Sequence, residues 1–300
     1  MTDLLDPKND FVFKRIFGSE ENKDVLLAFL NRTFEDAGRP RLTEIVLLNP
    51  YTDKDAPDDK QAILDICARA DDGTLVNVEI QLFNRYDIEK RTLFYWAKLY
   101  TSQLSEGEQY RKLRRTVAIN ILNFAFLPNV QVHNVFHLKE DRTGIGLTDD
   151  LELHFMELPK LREEEMPVEG GLTNWLLFLK GIEREQWEVL AMQEPALKKA
   201  MTTLEILSQS EEARWRYEAR QKFLRDQASM LEGAREEGLR KGLEEGRALG
   251  IQQGIQQGEQ KKAEEVARNL LAMGMDTNKV AEVTGLPPEK IQALMREEKR

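Results

Sequence analysis

A single cysteine, Cys67, stands in 300 residues, so no internal disulfide framework can form and the thiol suits a reducing compartment. The histidines number three (His133, His137 and His154) and lack cysteine partners, which argues against a zinc site. No apolar run approaches the roughly 20 residues of a membrane span. The opening MTDLLDPKND carries neither the basic region nor the apolar stretch of a signal peptide. These shortages point to a soluble, cytoplasmic protein with no membrane partner. Positive charge is also in deficit. With 43 Lys and Arg against 53 Asp and Glu, the net charge of -10 argues against a protein that coats nucleic acid indiscriminately.

That deficit is uneven. From Arg85 to Arg115 basic residues outnumber acidic ones (Arg85, Lys90, Arg91, Lys98, Arg111, Lys112, Arg114, Arg115), enough for a surface that binds a phosphate backbone. Immediately before this stretch lie two short apolar runs, AILDICARA and LVNVEIQLF, joined by DDGT. Val76, Val78, Ile80 and Leu82 alternate with Asn77, Glu79, Gln81 and Phe83 at the period of a half-buried strand. Asp65 sits among the β-favouring Ile63, Leu64 and Ile66. The hairpin therefore carries Asp65 on one strand and Glu79-x-Gln81 on the next, the layout of a metal-dependent nuclease site. Its register tests the idea. A two-residue Asp72-Gly73 turn would set Asp65 opposite Ile80 and turn Glu79 to the other face. A three-residue connection or one bulge near Gly73 would set Asp65 across from Gln81 and diagonal to Glu79.

These residue types suit phosphodiester hydrolysis. The reaction needs charge neutralised on the phosphate and a deprotonated water, and a hard Mg²⁺ or Mn²⁺ held by carboxylates and waters supplies both. Asp65 and Glu79 are the expected ligands, the backbone carbonyl of Ile80 a third, and Gln81 the group that hydrogen-bonds the water or a phosphate oxygen. An acidic residue on a strand is, on its own, as readily a solvated outer-face residue.

Further residues carry a resemblance: DPKNDFVFKRIFG (Asp6 to Gly18), LDI around Asp65, NVEIQ (Asn77 to Gln81), RTLFYWAKLYTSQLSEGEQYRKL (Arg91 to Leu113) and the following VAINIL. In these the chain resembles the PD-(D/E)XK nuclease superfamily, and more narrowly the Rpn family of recombination-promoting nucleases, also described as transposases. The resemblance covers about the first half of the chain in detail, and the glycine-rich tail is similar to that family as well. It implies metal binding by Asp65 and Glu79, a water-orienting role for Gln81, DNA as partner, and a place in recombination or mobile-element processes. The chain departs from the superfamily pattern in two ways. Neutral Gln81 stands where a lysine is usual, offering dipolar hydrogen bonds in place of a charge. No proline precedes Asp65.

The order of elements fits such a core. Helices are expected through FVFKRIF, capped by Asp10 or a neighbour, and through ENKDVLLAFLNRTF, starting near Asn22 or Glu20. RLTEIVLLN, the two hairpin runs and TVAINILNF read as strands, with a helix from about Asp87 to Leu104 crossing to the last of them. NVFHLKE and LELHFMEL extend the sheet before helices resume near Thr173. This is an α/β chain with a mixed central sheet flanked by helices. Arg91, Tyr95, Lys98 and Ser102 share one stripe of the crossing helix, disposed either to contact DNA phosphates or to form an ordinary solvated face. Asp10 reads as an N-cap or as a third acidic ligand.

Three segments follow from composition: a nuclease-like domain over 1–205, a charged glycine-rich segment over 206–262, and a helical unit over 263–300. Glycines recur at Gly233, Gly238, Gly242, Gly246, Gly250, Gly254 and Gly258, each costing a helix about 1 kcal/mol against alanine. Such spacing reads as a partly helical linker or as a self-association stripe, and apolar heptads for an ordinary coiled coil are missing. Ala281, Gly285, Ile291 and Leu294 then sit at the offsets of a helix-turn-helix core, a unit for DNA contact or for packing against a protein. The whole reading is a Mg²⁺- or Mn²⁺-dependent DNA endonuclease, as a dimer if two sites are to cut both strands. Its rivals are a weakened nuclease fold acting as a DNA-binding or protein-interaction module, and a ribonuclease.

Overall fold

The computed structural model describes residues 3–49, 65–84, 87–161, 171–181, 190–192 and 194–297. Ile63, Leu64 and Arg85, which entered the reading above, lie outside the described residues. The chain divides into two compact units, Met1–Arg225 and Asp226–Arg300.

In the first unit, helices α1 (Asp10–Phe17) and α2 (Lys23–Asp36) precede strands β1 (Ile45–Leu48), β2 (Ile66–Ala70) and β3 (Leu75–Gln81). Helix α3 (Ile88–Thr101) crosses to β4 (Thr116–Leu122), followed by β5 (His133–His137), β6 (Leu151–Glu157), α4 (Leu172–Lys180), α5 (Pro195–Gln209) and the start of α6 (Glu211–Ala272). The six strands form one sheet in the order β1-β2-β3-β4-β6-β5. The pairs β3/β4 and β4/β6 are parallel and the rest antiparallel, which is the mixed α/β sheet expected.

Strand β4 is buried at all seven residues and β3 at six of seven, because helices cover both faces of the sheet centre. One face carries Ile66, Ala68, Val76, Val78, Ile80, Val117, Ile119 and Ile121 against α1, α2, α4 and α5. Phe13, Phe17, Phe29 and Trp175 meet there in tilted and edge-on pairs with ring centroids 4.8 to 5.9 Å apart. Each of these buried rings contributes roughly 2 to 3 kcal/mol. The opposite face carries Cys67 and Leu75 against Leu99 and Tyr95 of α3, and Ala118 and Leu122 against Ile88. Burial pushes the Cys67 thiol up to about 12, as befits a packing residue.

At the far edge of the sheet the three histidines join a polar network that runs from the exposed Asp36 to the buried Glu152 and His154. His133 bonds Asp36 at 2.6 Å and His154 at 2.8 Å, and His154 bonds Glu152 at 2.8 Å. Arg39 pairs with Glu152 at 2.7 Å and His137 approaches the same carboxylate at 3.2 Å. Among the described residues, no three His, Cys, Asp or Glu are disposed to hold a metal ion.

The second unit contains most of α6 with α7 (Thr277–Thr284) and α8 (Pro288–Glu297). All seven glycines from Gly233 to Gly258 are helical, and a Cβ at any of them would meet open space, so no close approach within the chain requires them. Ala267, Val280, Leu286, Ile291 and Leu294 form the core of the terminal helices, with Ala281 packed against it. Gly285, at φ 70°, makes the turn between α7 and α8.

Candidate active site

The hairpin turn fixes the site. Ala70 N–H donates to Thr74 O at 2.8 Å, leaving a three-residue loop, Asp71, Asp72 and Gly73. Its last residue takes the left-handed conformation, φ 87°, that glycine adopts without strain. Asp72 Oδ1 accepts from Thr74 N–H at 2.8 Å and closes it. The odd length expected is present, but the loop lies one residue earlier than a connection that would set Asp65 across from Gln81. Ile66 pairs with Val78, so one further step places Asp65 level with Glu79 itself, on the same face. That correction brings the carboxylates closer than a diagonal pairing would. Asp65 Oδ2 accepts from Ile80 N–H at 3.1 Å, anchoring the aspartate across the strands.

Glu79 is 3% exposed. Burial, and then the Asp65 carboxylate, push its carboxyl up to about 7, opposed by Arg91, the nearby Asn77 side-chain amide, and Lys14. The partners are sparse for so buried an acid: Gln81 Nε2 donates to Glu79 Oε2 at 3.1 Å and Arg91 Nη2 lies 3.5 Å from the same oxygen. Five buried side-chain polar atoms among the described residues have no hydrogen-bond partner, and three of them, Asn77 Oδ1, Glu79 Oε1 and Arg91 Nε, belong to this site. Buried polar atoms are nearly always paired, so such a concentration marks a place built for something other than stability.

A cleft of about 150 Å³ opens here, lined by Asp10, Asp65, Gln81, Phe83, Arg91 and Arg220 among others. It is smaller than the roughly 300 to 1,000 Å³ of pockets that enclose a whole ligand. A phosphate group with a few waters, at about 30 Å³ each, is the scale that fits. The hard oxygens of two carboxylates with one buried, unpaired acceptor suit a divalent cation whose remaining positions are filled by water.

The other expected residues divide. Arg91 lines the cleft, and its guanidinium lies over the Tyr95 ring at 5.2 Å. Tyr95 packs against Cys67, Leu75 and Leu99. Lys98 is two turns along α3 from Arg91 and is not among the residues lining the cleft. Asp10 is not the cap of α1: Asn9 is, its Oδ1 accepting from Phe11 N–H at 3.0 Å. Asp10 instead faces the cleft and is held by Arg220, with Nε at 2.8 Å and Nη2 at 2.6 Å, so its oxygens are already engaged. The cap went to Asn9 because that residue has the extended backbone, ψ 126°, which aims a short polar side chain at the first free N–H groups.

Two residues of the site escaped the sequence. Lys14 reaches from α1 to pair with Asp65, Nζ to Oδ1 3.1 Å. Its signal was the i, i+4 spacing that puts Asp10 and Lys14 on one side of α1, away from Phe13 and Phe17. Arg220 comes from α6, more than 200 residues from its partner Asp10, and no local pattern announces it.

Comparison with known proteins gives the family. Residues 7–234 match the model of the PD-(D/E)XK nuclease family transposases, and residues 260–296 match the C-terminal HTH domain of the Rpn/YhgA-like nuclease family. No curated protein and no solved structure matches the chain. The chain belongs to the PD-(D/E)XK nuclease family transposases, as an Rpn-type protein with a nuclease-fold sheet and an HTH-family C-terminus.

Proposed function

We propose that the protein is a Mg²⁺- or Mn²⁺-dependent DNA endonuclease acting in recombination or mobile-element processes, with its site at Asp65, Glu79 and Gln81. The observation that carries this reading is the pair of carboxylates level on adjacent strands, one of them buried with an unpaired oxygen. Two like charges in a poorly solvated place repel, and a bound cation is what makes such a pair useful. Asp65 and Glu79 would hold the ion with help from the Ile80 backbone. With the ion in place, charge on the phosphate is neutralised and the pKa of water is lowered.

The chain's own groups orient the reactants. Ile80 N–H keeps Asp65 fixed, while Gln81 Nε2 holds one oxygen of Glu79 and leaves the other without a protein partner. Arg91, backed by Tyr95, stands where a phosphate oxygen would arrive and is the DNA-binding residue we favour on α3. Tyr95 acts by supporting that guanidinium, and Lys98 is assigned to the DNA backbone farther along the helix. The C-terminal unit would add DNA affinity through the HTH-family fold.

Plasmid nicking and linearisation with Mg²⁺, Mn²⁺ or EDTA tests the proposal on wild type, Asp65→Ala and Glu79→Ala. Metal-dependent cutting, lost in both variants, is the expected result. No cutting by folded wild type supplied with metal, or equal cutting by all three, would transfer the assignment to a DNA-binding module on a nuclease fold. Preference for single-stranded RNA would make it a ribonuclease.

A further inference from the structure

Hydrolysis of a phosphodiester builds negative charge on the non-bridging oxygens, and strand β3 brings no cation to meet it. Gln81 is neutral, and its Nε2 is already directed at Glu79 Oε2 at 3.1 Å. Arg91 faces the other carboxylate, with Nη2 3.5 Å from Glu79 Oε2 and its guanidinium over the Tyr95 ring, and is assigned above to binding DNA; Arg220 holds Asp10 through two nitrogens. Lys14 is placed differently. Its Nζ lies 3.1 Å from Asp65 Oδ1, a residue that lines the cleft, while its side chain is 37% exposed, so the ammonium is held by one carboxylate oxygen and stays in reach of solvent rather than inside a packed ion pair. A lysine head on a four-carbon stem moves with little cost, whereas an arginine held bidentately does not.

We propose that Lys14, delivered by α1, supplies to the scissile phosphate the positive charge that Gln81 cannot. The inference rests on the nuclease reading above. In the resting chain Lys14 neutralises Asp65; when the oxygens of Asp65 are engaged by a cation, the ammonium turns to a non-bridging phosphate oxygen and donates a hydrogen bond. A water oxygen forms its bond to phosphorus and the ester P–O bond breaks. The water's proton leaves to solvent and the departing oxygen takes one from solvent. Lys14 transfers no proton. This arrangement explains why a carboxamide serves at position 81: the charge enters from a helix, and the strand position is free to hold Glu79.

The test uses the full chain as wild type, Lys14→Met, Lys14→Arg, the double variant Lys14→Met with Gln81→Lys, and Glu79→Gln. Single-turnover plasmid cleavage is read beside DNA affinity, melting temperature and, without DNA, Mn²⁺ affinity by calorimetry. Lys14→Met is expected to cut about 10²- to 10³-fold more slowly, the usual loss for one electrostatic donor, with DNA affinity little changed. Lys14→Arg keeps part of the rate, and the relocated lysine of the double variant restores most of it. Mn²⁺ should bind Lys14→Met about tenfold tighter, because a repelling charge a few ångströms away has gone.

Cleavage by Lys14→Met at the wild-type rate overturns the proposal, as does unchanged Mn²⁺ affinity. A rate loss that neither Lys14→Arg nor the double variant repairs, accompanied by a lower melting temperature, makes Lys14 a structural tie between α1 and β2 and also overturns it. If wild type cuts no better than Glu79→Gln, the nuclease reading fails and this inference fails with it. If wild type cuts, Glu79→Gln does not, and Lys14→Met equals wild type, only the lysine assignment falls.

Discussion

Glu79→Gln is expected to abolish cutting and to stabilise the fold at the same time. Burial and the neighbouring Asp65 carboxylate raise Glu79 from its usual 4.5 to about 7, which disfavours the ionised form in the folded chain by roughly 3 kcal/mol. Between those two values the folded chain holds a proton that the unfolded chain has released. Stability is therefore fully present below about pH 4.5 and is lost as pH rises through about 7. A glutamine at 79 has no such proton and still offers an oxygen to Gln81 Nε2. The attraction of the Glu79 charge for Arg91 at 3.5 Å is already contained in the raised value, so the gain at pH 8.5 stays near roughly 3 kcal/mol. For a unit of about this size, that is roughly 6 to 12 °C in melting temperature. Thermal denaturation of wild type and variant in EDTA, from pH 4.5 to 8.5, measures it. The curves should coincide at the acidic end, separate between about pH 4.5 and 7, and stay apart by a constant amount above that. A difference that does not change with pH, or a variant less stable than wild type at pH 8.5, would refute the reasoning.

Three other changes probe different links. Gly73→Ala places a side chain at φ 87° and brings a Cβ to 3.2 Å from Arg114 Cγ, so urea denaturation should show a loss of about 1 to 2 kcal/mol, with cutting reduced because the loop sets the carboxylate register. Glu152 is pushed up by burial, but hydrogen bonds and charges from His154, Arg39 and His137 outweigh this and hold it at about 2, below the usual 4.5. Its contribution to stability is present above pH 4.5 and lost as pH falls toward 2; Arg39→Met should move acid unfolding, followed by tryptophan fluorescence, to higher pH. Arg91→Ala should weaken DNA binding about tenfold at moderate salt and reduce the slope of log affinity against log salt by about one.

Much of the fold was legible in the chain because strands and helices advertise themselves by period. Runs at RLTEIVLLN, LVNVEIQLF, TVAINILNF and LELHFMEL all became strands, and the crossing helix was found within a few residues of its ends. The two carboxylates were legible as well, since acids in β-favouring runs are conspicuous there. Their relation was less so. Whether Asp65 faces Gln81 or Glu79 turns on a single residue of loop position, and only the αL backbone of Gly73 chose between them. The glycine-spaced tail was read as only partly helical because its recurrent glycines are poor helix formers, yet the Glu, Arg, Lys, Gln, Leu and Ala between them carry α6 unbroken from Glu211 to Ala272.

By itself, then, the sequence determined the α/β class, the hairpin, the acidic pair and the helical C-terminus, because each depends on neighbours within a few residues along the chain. The tertiary structure decided what surrounds the acids. Burial at 3% exposure and a carboxyl raised to about 7 arise from α3 and β4 closing over Glu79, and no local pattern encodes that enclosure. Lys14 on Asp65 and Arg220 on Asp10 are likewise encounters between elements far apart in the chain. Charges act through space at a few ångströms, so the groups that tune a carboxylate are chosen by packing and not by their distance in the chain.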